Sequence, residues 1–130
     1  MALVTDVLAG TTTASGYKNQ LQIVATDHTT ASFETGTGTL FAGTPLYFNG
    51  TNYARFDSAS DIAAFVWPDD VVLDDTNNAT GEIMTKGEVF KFSEIEALVD
   101  VADRVALKAK CKSGALAKGI VVRGIANINQ

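Results

Sequence analysis

The sequence predicts an α+β fold: a small β-rich domain with short antiparallel strands and one main helix, preceded by an extended N-terminal arm. Short β-branched and aromatic runs alternate with turn residues, and one helix-period pattern follows them. Residues 1–36 are instead rich in Thr, Ala, Ser and Gly, which bury little surface for each residue ordered. With 130 residues, 46% of them hydrophobic, the chain suits one domain with a modest core. We therefore divide it into an arm, 1–36, and a β-rich domain, 37–130.

A tight hairpin is predicted around Asn49-Gly50. Both residues tolerate positive φ, and the runs on either side of them, 46–48 and 53–56, are mainly apolar and aromatic. Just before these runs, Pro45 fixes its own backbone and biases the preceding residue towards extended geometry. The hairpin therefore marks the start of regular antiparallel structure.

Further strands are predicted at 62–67, 71–73, 82–92 and 120–125. The first is an apolar run of six residues that ends at Pro68, and so short a run favours a buried strand over a helix. Acidic turn residues enclose the second. The third carries Gly87 at a position that suggests a β-bulge. The last is β-branched and closes the domain after the helix.

A helix is predicted over residues 93–112. Ser93 and Glu96 have the spacing of a capping box at its start, and Ser113-Gly114 supplies its stop. Asp100 could instead cap a second helix, with a break at 99–101. Acidic residues precede basic ones along this segment, a polarity that complements the helix dipole. The apolar residues that recur at three- and four-residue steps, as one stripe, are Ile95, Leu98, Val99, Ala102, Val105, Ala106 and Ala109.

Composition argues against several function classes. A formal charge of −5 and a pI near 4.6 disfavour binding to nucleic acid through its phosphates. No run approaches the roughly 18 consecutive apolar residues of a membrane span, and residues 1–10 lack the basic start of a signal peptide. Cys111 is alone, so it forms no intrachain disulfide and is expected to be buried. We expect a protein made in the cytosol that uses no metal or cofactor.

The sequence offers little for catalysis. His28 lies next to Asp27 and near Ser32, but neighbours in sequence do not make a catalytic triad, and a surface histidine is the expected outcome. The acidic segment 74–78, together with Glu82, supplies oxygen ligands of the kind that Ca²⁺ prefers. It lacks the acidic spacing and central glycine of a calcium loop, which favours a solvated turn. A basic group near the end of the helix is expected to be solvated and not to bind nucleic acid, because no aromatic residues interleave with it; its members are Lys108, Lys110, Lys112, Lys118 and Arg123.

The order of motifs along the chain resembles that of phage head decoration proteins, the capsid cement proteins of the lambda head decoration protein D type. The resemblance covers residues 38–125. It includes a Thr-Pro-Leu opening, an aromatic turn with an Asp, a strand of small residues, a Gly before an aromatic segment and a closing Ile and Val strand. These stand at 44–46, 53–57, 62–66, 87–92 and 119–123.

The resemblance implies a β-tulip-like structural virion protein with no catalytic activity. A protein of this kind binds the major capsid protein on the outer surface of an icosahedral phage head and stabilises it, as a homotrimer at three-fold positions. The arm would add as a strand to an exposed sheet edge, gaining main-chain hydrogen bonds that it cannot make alone. The candidate capsid-binding residues of the arm are Leu3, Val4, Val7 and Leu8.

Two other functions compete with capsid binding. The first is a carbohydrate-binding or adhesin module on a virion or cell surface, in which Trp67, Tyr47 and Tyr53 would form a stacking platform. Exposure of these aromatic residues on one face would favour it, and burial of Trp67 would count against it. The second is a hydrolase that uses His28, which would require a pocket joining the imidazole to a carboxylate and a hydroxyl.

Overall fold

Eight strands and three short helices form the part of the chain that the computed structural model describes, residues 23–112 and 119–124. The strands are β1 (Ile23–Ser32), β2 (Thr39–Leu40), β3 (Pro45–Phe48), β4 (Tyr53–Arg55), β5 (Ala64–Val66), β6 (Val71–Val72), β7 (Thr80–Val89) and β8 (Ile120–Val122). The helices are α1 (Phe92–Glu96), a 3-10 helix (Val101–Asp103) and α2 (Arg104–Lys112). The α+β class and the β-rich character predicted from the sequence are confirmed.

Six of the strands form one sheet, in the order β1-β7-β5-β3-β4, with β8 also paired to β7. All pairings in this sheet are antiparallel except that of β8 with β7, which is parallel. Strands β2 and β6 form a separate two-stranded antiparallel ribbon. Because β7 pairs with β1, β5 and β8, it is the central strand of the architecture.

The hairpin predicted at Asn49-Gly50 joins β3 to β4. Gly50 has φ +103, and the Asn49 side-chain oxygen accepts hydrogen bonds from the backbone N–H groups of Thr51 and Asn52, each at 2.9 Å. The turn is therefore closed by Asn49 through local bonds, as its residue type allows. This prediction is confirmed.

Buried residues cover both faces of the sheet. In β5, Phe65 enters one core cluster while Ala64 and Val66 enter the other, because successive side chains of a strand point to opposite faces. In β7, Met84 and Ile83 divide in the same way. The helices pack over the first face and the β2–β6 ribbon over the second. The short buried strand predicted at 62–67 is confirmed, and it ends at Val66, just before Trp67-Pro68.

Strand β1 lies within the range predicted as an arm. Its ten residues pair along β7, and Phe33, the next residue, is fully buried in the core cluster under the β2–β6 ribbon. The described sheet therefore includes residues 23–32, inside 1–36. The sequence does not predict this strand because residues 26–30 of β1 are all exposed, so the strand shows little apolar periodicity.

The predicted helix is interrupted. Residues 97–100 separate α1 from the 3-10 helix and α2, which matches the alternative of a break near residue 100. The capping box at Ser93 and Glu96 is wrong, because α1 begins one residue earlier and its N-cap, Lys91, makes no side-chain cap bond. The predicted stripe is only partly right: Ile95 and Val99 are buried, while Val105 is 81% exposed.

Candidate functional site

Among the described strands, β1 is a ten-residue edge strand of the sheet and β4, at the other end of the sheet order, has only three residues. Within residues 23–112 and 119–124, β1 pairs only with β7, so its other edge carries backbone groups that no described strand covers. Its middle residues, 26–30, are polar or charged and exposed. An edge of this kind is a template for strand addition. Leu3, Val4, Val7 and Leu8 lie outside the described residues.

His28 is a surface residue of β1. Its side chain is 56% exposed, and Nδ1 lies 3.2 Å from Oε1 of Glu82 on the neighbouring strand. The Ser32 hydroxyl instead donates to the side-chain oxygen of Asn52, 2.7 Å away. His28 and Ser32 therefore have separate partners and do not form the nucleophile and base of a hydrolase.

The acidic turn after β6 is closed by its own backbone. Oδ1 of Asp74 accepts hydrogen bonds from the N–H groups of Thr76 at 2.7 Å and Asn77 at 3.0 Å. The bonds from Asn77 and Thr76 lower the pKa of the Asp74 carboxyl. Within the described part of the chain, no three His, Cys, Asp or Glu side chains are placed to hold a metal ion. The acidic segment is therefore explained by a solvated turn, as the sequence favours.

The proposed aromatic platform does not form. Tyr47 pairs with Ala54, the neighbour of Tyr53 on β4, so Tyr47 and Tyr53 point to opposite faces of the sheet. Trp67 is partly buried and packs against the core cluster under the helices. Tyr53 instead contacts Phe48, with ring centroids 5.0 Å apart, and Phe48 is 49% exposed. The three aromatic residues therefore do not share one exposed surface.

A shallow cleft of about 190 Å³ lies between β4 and the loop that follows β1. Its lining includes Glu34, Thr37, Tyr53, Arg55 and Leu73. Glu34 accepts a hydrogen bond from the Asn49 side chain at 2.9 Å. The cleft is smaller than the roughly 300–1,000 Å³ of ordinary small-molecule sites. It has neither a histidine nor a cysteine to supply a base or nucleophile.

Two residues of the basic group near the end of the helix form ion pairs. Nζ of Lys110 lies 2.7 Å from Oδ1 of Asp61, and Arg123 contacts Glu88 at 2.8 Å. Lys118 lies outside the described residues. The described pairs neutralise two of the cations that a nucleic-acid surface would need, in agreement with the acidic composition of the chain.

Cys111 faces the core from α2, as predicted, and is 6% exposed. Burial raises the pKa of its thiol to about 12, because the thiolate would lose its hydration. Since the thiolate is the reactive form, we expect Cys111 of the folded protein to be nearly inert towards a thiol reagent such as DTNB at pH 8.

The measurement is the release of thionitrobenzoate from native protein and from protein in urea. In urea the thiol is exposed and should react completely within minutes. Rapid labelling of the native protein would contradict the packing of α2 against the sheet.

Sequence reasoning missed one feature of the surface. Val101 and Val105, on the 3-10 helix and α2, are 75% and 81% exposed. The three- and four-residue spacing placed both Val105 and Ala106 in the buried stripe, but only Ala106 packs against the core, beside the buried Leu107 and Cys111. The helix is interrupted at residues 97–100, so apolar spacing counted across that break does not show which face α2 presents to the core.

Among the described residues, no helix has the length and apolar character needed to cross a lipid bilayer. Comparison of the chain with protein-family models, with curated proteins and with solved structures finds no match in any of the three.

Proposed function

We propose that this protein is a structural virion protein that binds the outer surface of an icosahedral phage capsid and stabilises the head. In this proposal it acts without catalysis, as a homotrimer at three-fold positions, with a β-tulip-like domain and an N-terminal arm that contacts the major capsid protein. The protein would be made in the host cytoplasm and function on the capsid exterior.

The observation that carries the proposal is the placement of the resembling segments. Thr44-Pro45-Leu46 opens β3, and the segments 53–57 and 62–66 contain β4 and β5. The segments 87–92 and 119–123 contain the end of β7 and all of β8. All five segments thus contribute to a single six-stranded sheet, so the resemblance in sequence order corresponds to one physical unit.

The position of β1 supports a role for the residues that precede it. Ile23 is the first residue of an edge strand of the sheet, and the residues that precede it in the sequence include small and β-branched residues with few bulky ones. Such a segment gains hydrogen bonds when it adds to a sheet edge of a larger partner, and its ordering cost is paid only on binding.

A trimer would strengthen this attachment without further contacts on each chain. When one arm of a trimer is bound, the other two are held near their sites at a high effective concentration. Three weak arm contacts can therefore give tight attachment to a capsid, provided that the sites have matching three-fold geometry.

The test is co-sedimentation of the full-length protein with expanded, undecorated shells of the major capsid protein encoded in the same genome. We expect saturable binding by the unmodified protein. Replacing Leu3, Val4, Val7 and Leu8 together by serine should weaken it at least about tenfold, which corresponds to about 1.4 kcal/mol.

The matched control is Val72→Ser, because Val72 is 70% exposed on β6 and lies outside the arm. This variant should bind like the unmodified protein. Failure of the unmodified protein to bind the shells would refute the proposed function. Equal binding by the arm variant would leave capsid binding in place and remove the arm from the mechanism.

A further inference from the structure

The side-chain amide of Asn49 is held from both ends at the tip of the β3–β4 hairpin. Its oxygen accepts hydrogen bonds from the backbone N–H groups of Thr51 and Asn52, each at 2.9 Å. Its nitrogen donates to Oε2 of Glu34, also at 2.9 Å. Two donors therefore polarise the amide carbonyl, while the amide nitrogen faces a carboxylate.

The backbone nitrogen of Gly50 is the nucleophile nearest to this amide along the chain. Its attack on Cγ of Asn49 would close a five-membered ring. Within residues 23–112 and 119–124, the Gly50 N–H donates no backbone hydrogen bond, so no carbonyl holds its nitrogen. Nothing lies within 4 Å of the position that a Cβ of Gly50 would take, and both residues are exposed to water. The nitrogen is therefore unshielded.

The other described asparagines lack this combination. Among them, only Asn49 precedes a glycine. Asn52 is followed by Tyr53, and Asn78 is followed by Ala79, so the backbone nitrogen next to each carries a substituted Cα that restricts its approach. These two asparagines are natural controls for the chemistry of the hairpin.

We propose that Asn49 is a site of covalent self-modification, at which attack by the Gly50 nitrogen converts the asparagine to aspartate and isoaspartate. Hydroxide removes the Gly50 proton, the bond from nitrogen to Cγ forms, and negative charge develops on Oδ1. The N–H groups of Thr51 and Asn52 stabilise this charge, as donors aimed at a developing oxyanion do. The Cγ–Nδ2 bond then breaks, and the nitrogen leaves as ammonia with a proton taken from water.

Water opens the succinimide ring that results. Its addition at Cγ gives aspartate at position 49, and its addition at the backbone carbonyl gives isoaspartate, in which the main chain runs through the former side chain. The sequence of steps needs no oxidant, reductant or cofactor. Either product carries a carboxylate in place of the amide, so one negative charge is added to the hairpin.

The added charge removes the link between the hairpin and the loop that follows β1. In the aspartate product an oxygen takes the place of the Asn49 nitrogen, so two carboxylates face each other across the 2.9 Å contact with Glu34. Like charges at this separation repel. Glu34 also lines the shallow cleft beside β4, so the reaction loosens one wall of that cleft.

Peptide mapping by mass spectrometry tests the modification in the native, full-length protein after incubation at mildly alkaline pH. The peptide that contains Asn49 should gain the mass difference between an amide and a carboxylic acid, and should separate into two products by chromatography. Asn52 and Asn78 should be converted at least about tenfold more slowly in the same sample. This modification needs only the folded hairpin and water, so its outcome is independent of capsid binding.

Protein incubated in urea provides the comparison with the unfolded hairpin. Absence of conversion in the native protein, when Asn49 reacts in urea, would overturn the proposal, because the folded turn would then hold Cγ away from the Gly50 nitrogen. Equal conversion of Asn49 and Asn52 in the native protein would overturn it as well, because it would show unselective amide hydrolysis.

The effect on the contact with Glu34 is tested by substitution. Asn49→Asp should raise the equilibrium constant for unfolding about threefold at neutral pH, as expected for an exposed charge pair. In the Glu34→Gln background the same substitution should have little effect, because a glutamine amide can donate to the new carboxylate. Equal effects of Asn49→Asp in the two backgrounds would show that repulsion by Glu34 does not loosen the cleft wall.

Discussion

Replacement of Phe33 by alanine is expected to lower the free energy of unfolding by about 3–5 kcal/mol. Phe33 is fully buried and packs in the core cluster with Leu40, Leu46 and Ile83. Removal of the ring loses its transfer free energy and leaves a cavity, because close-packed neighbours collapse only partly. Equilibrium urea unfolding, followed by tryptophan fluorescence and circular dichroism, measures the change.

The matched control is Phe48→Ala. Phe48 is 49% exposed and its ring contacts that of Tyr53, so its removal should cost about 0.5–1.5 kcal/mol. The comparison also tests the division of the chain into an arm, 1–36, and a domain, 37–130, because Phe33 lies within the range predicted as the arm. A loss below about 1 kcal/mol for Phe33→Ala would mean that this part of the chain contributes little to the folded domain, as an arm would.

Replacement of Gly87 by alanine is expected to lower the free energy of unfolding by about 4 kcal/mol. Gly87 has φ +148, and a Cβ atom there would overlap with the Val24 carbonyl oxygen and lie 2.9 Å from Cα of Ala25. Positive-φ strain costs about 1–3 kcal/mol and overpacking about 1–3 kcal/mol, and two of the three nearest atoms are backbone, which cannot move aside easily. Urea unfolding measures this change as well.

Comparison with Gly38→Ala separates the backbone strain at Gly87 from the overpacking there. Gly38 has φ +89, yet nothing lies within 4 Å of an added Cβ, so only the backbone strain of about 1 kcal/mol should remain. Gly87 also stands where the β1–β7 register shifts, between Ala25 and Asp27. If Gly87→Ala cost no more than Gly38→Ala, the close approach of β1 to β7 at this point would be contradicted.

The candidate surfaces could be predicted only in part. Exposure of His28 and burial of Cys111 were predicted because each conclusion needs only residue type and the lack of a partner motif. The Tyr47, Tyr53 and Trp67 platform failed because it depends on which face each residue occupies. That face is set by the β3–β4 register, and one residue of offset reverses it.

The sequence by itself determined the structures whose causes are local. Asn49-Gly50 closes the hairpin through its own side chain and a positive φ, and the apolar run before Pro68 is too short for a helix. Tertiary structure decided the rest. Strand β1, in which six of ten residues are polar, is a strand because β7 offers it a ladder of backbone hydrogen bonds. The exposed face of α2 follows from how the chain turns between α1 and the 3-10 helix. Both depend on contacts between residues far apart in the chain, which local propensity and periodicity do not encode.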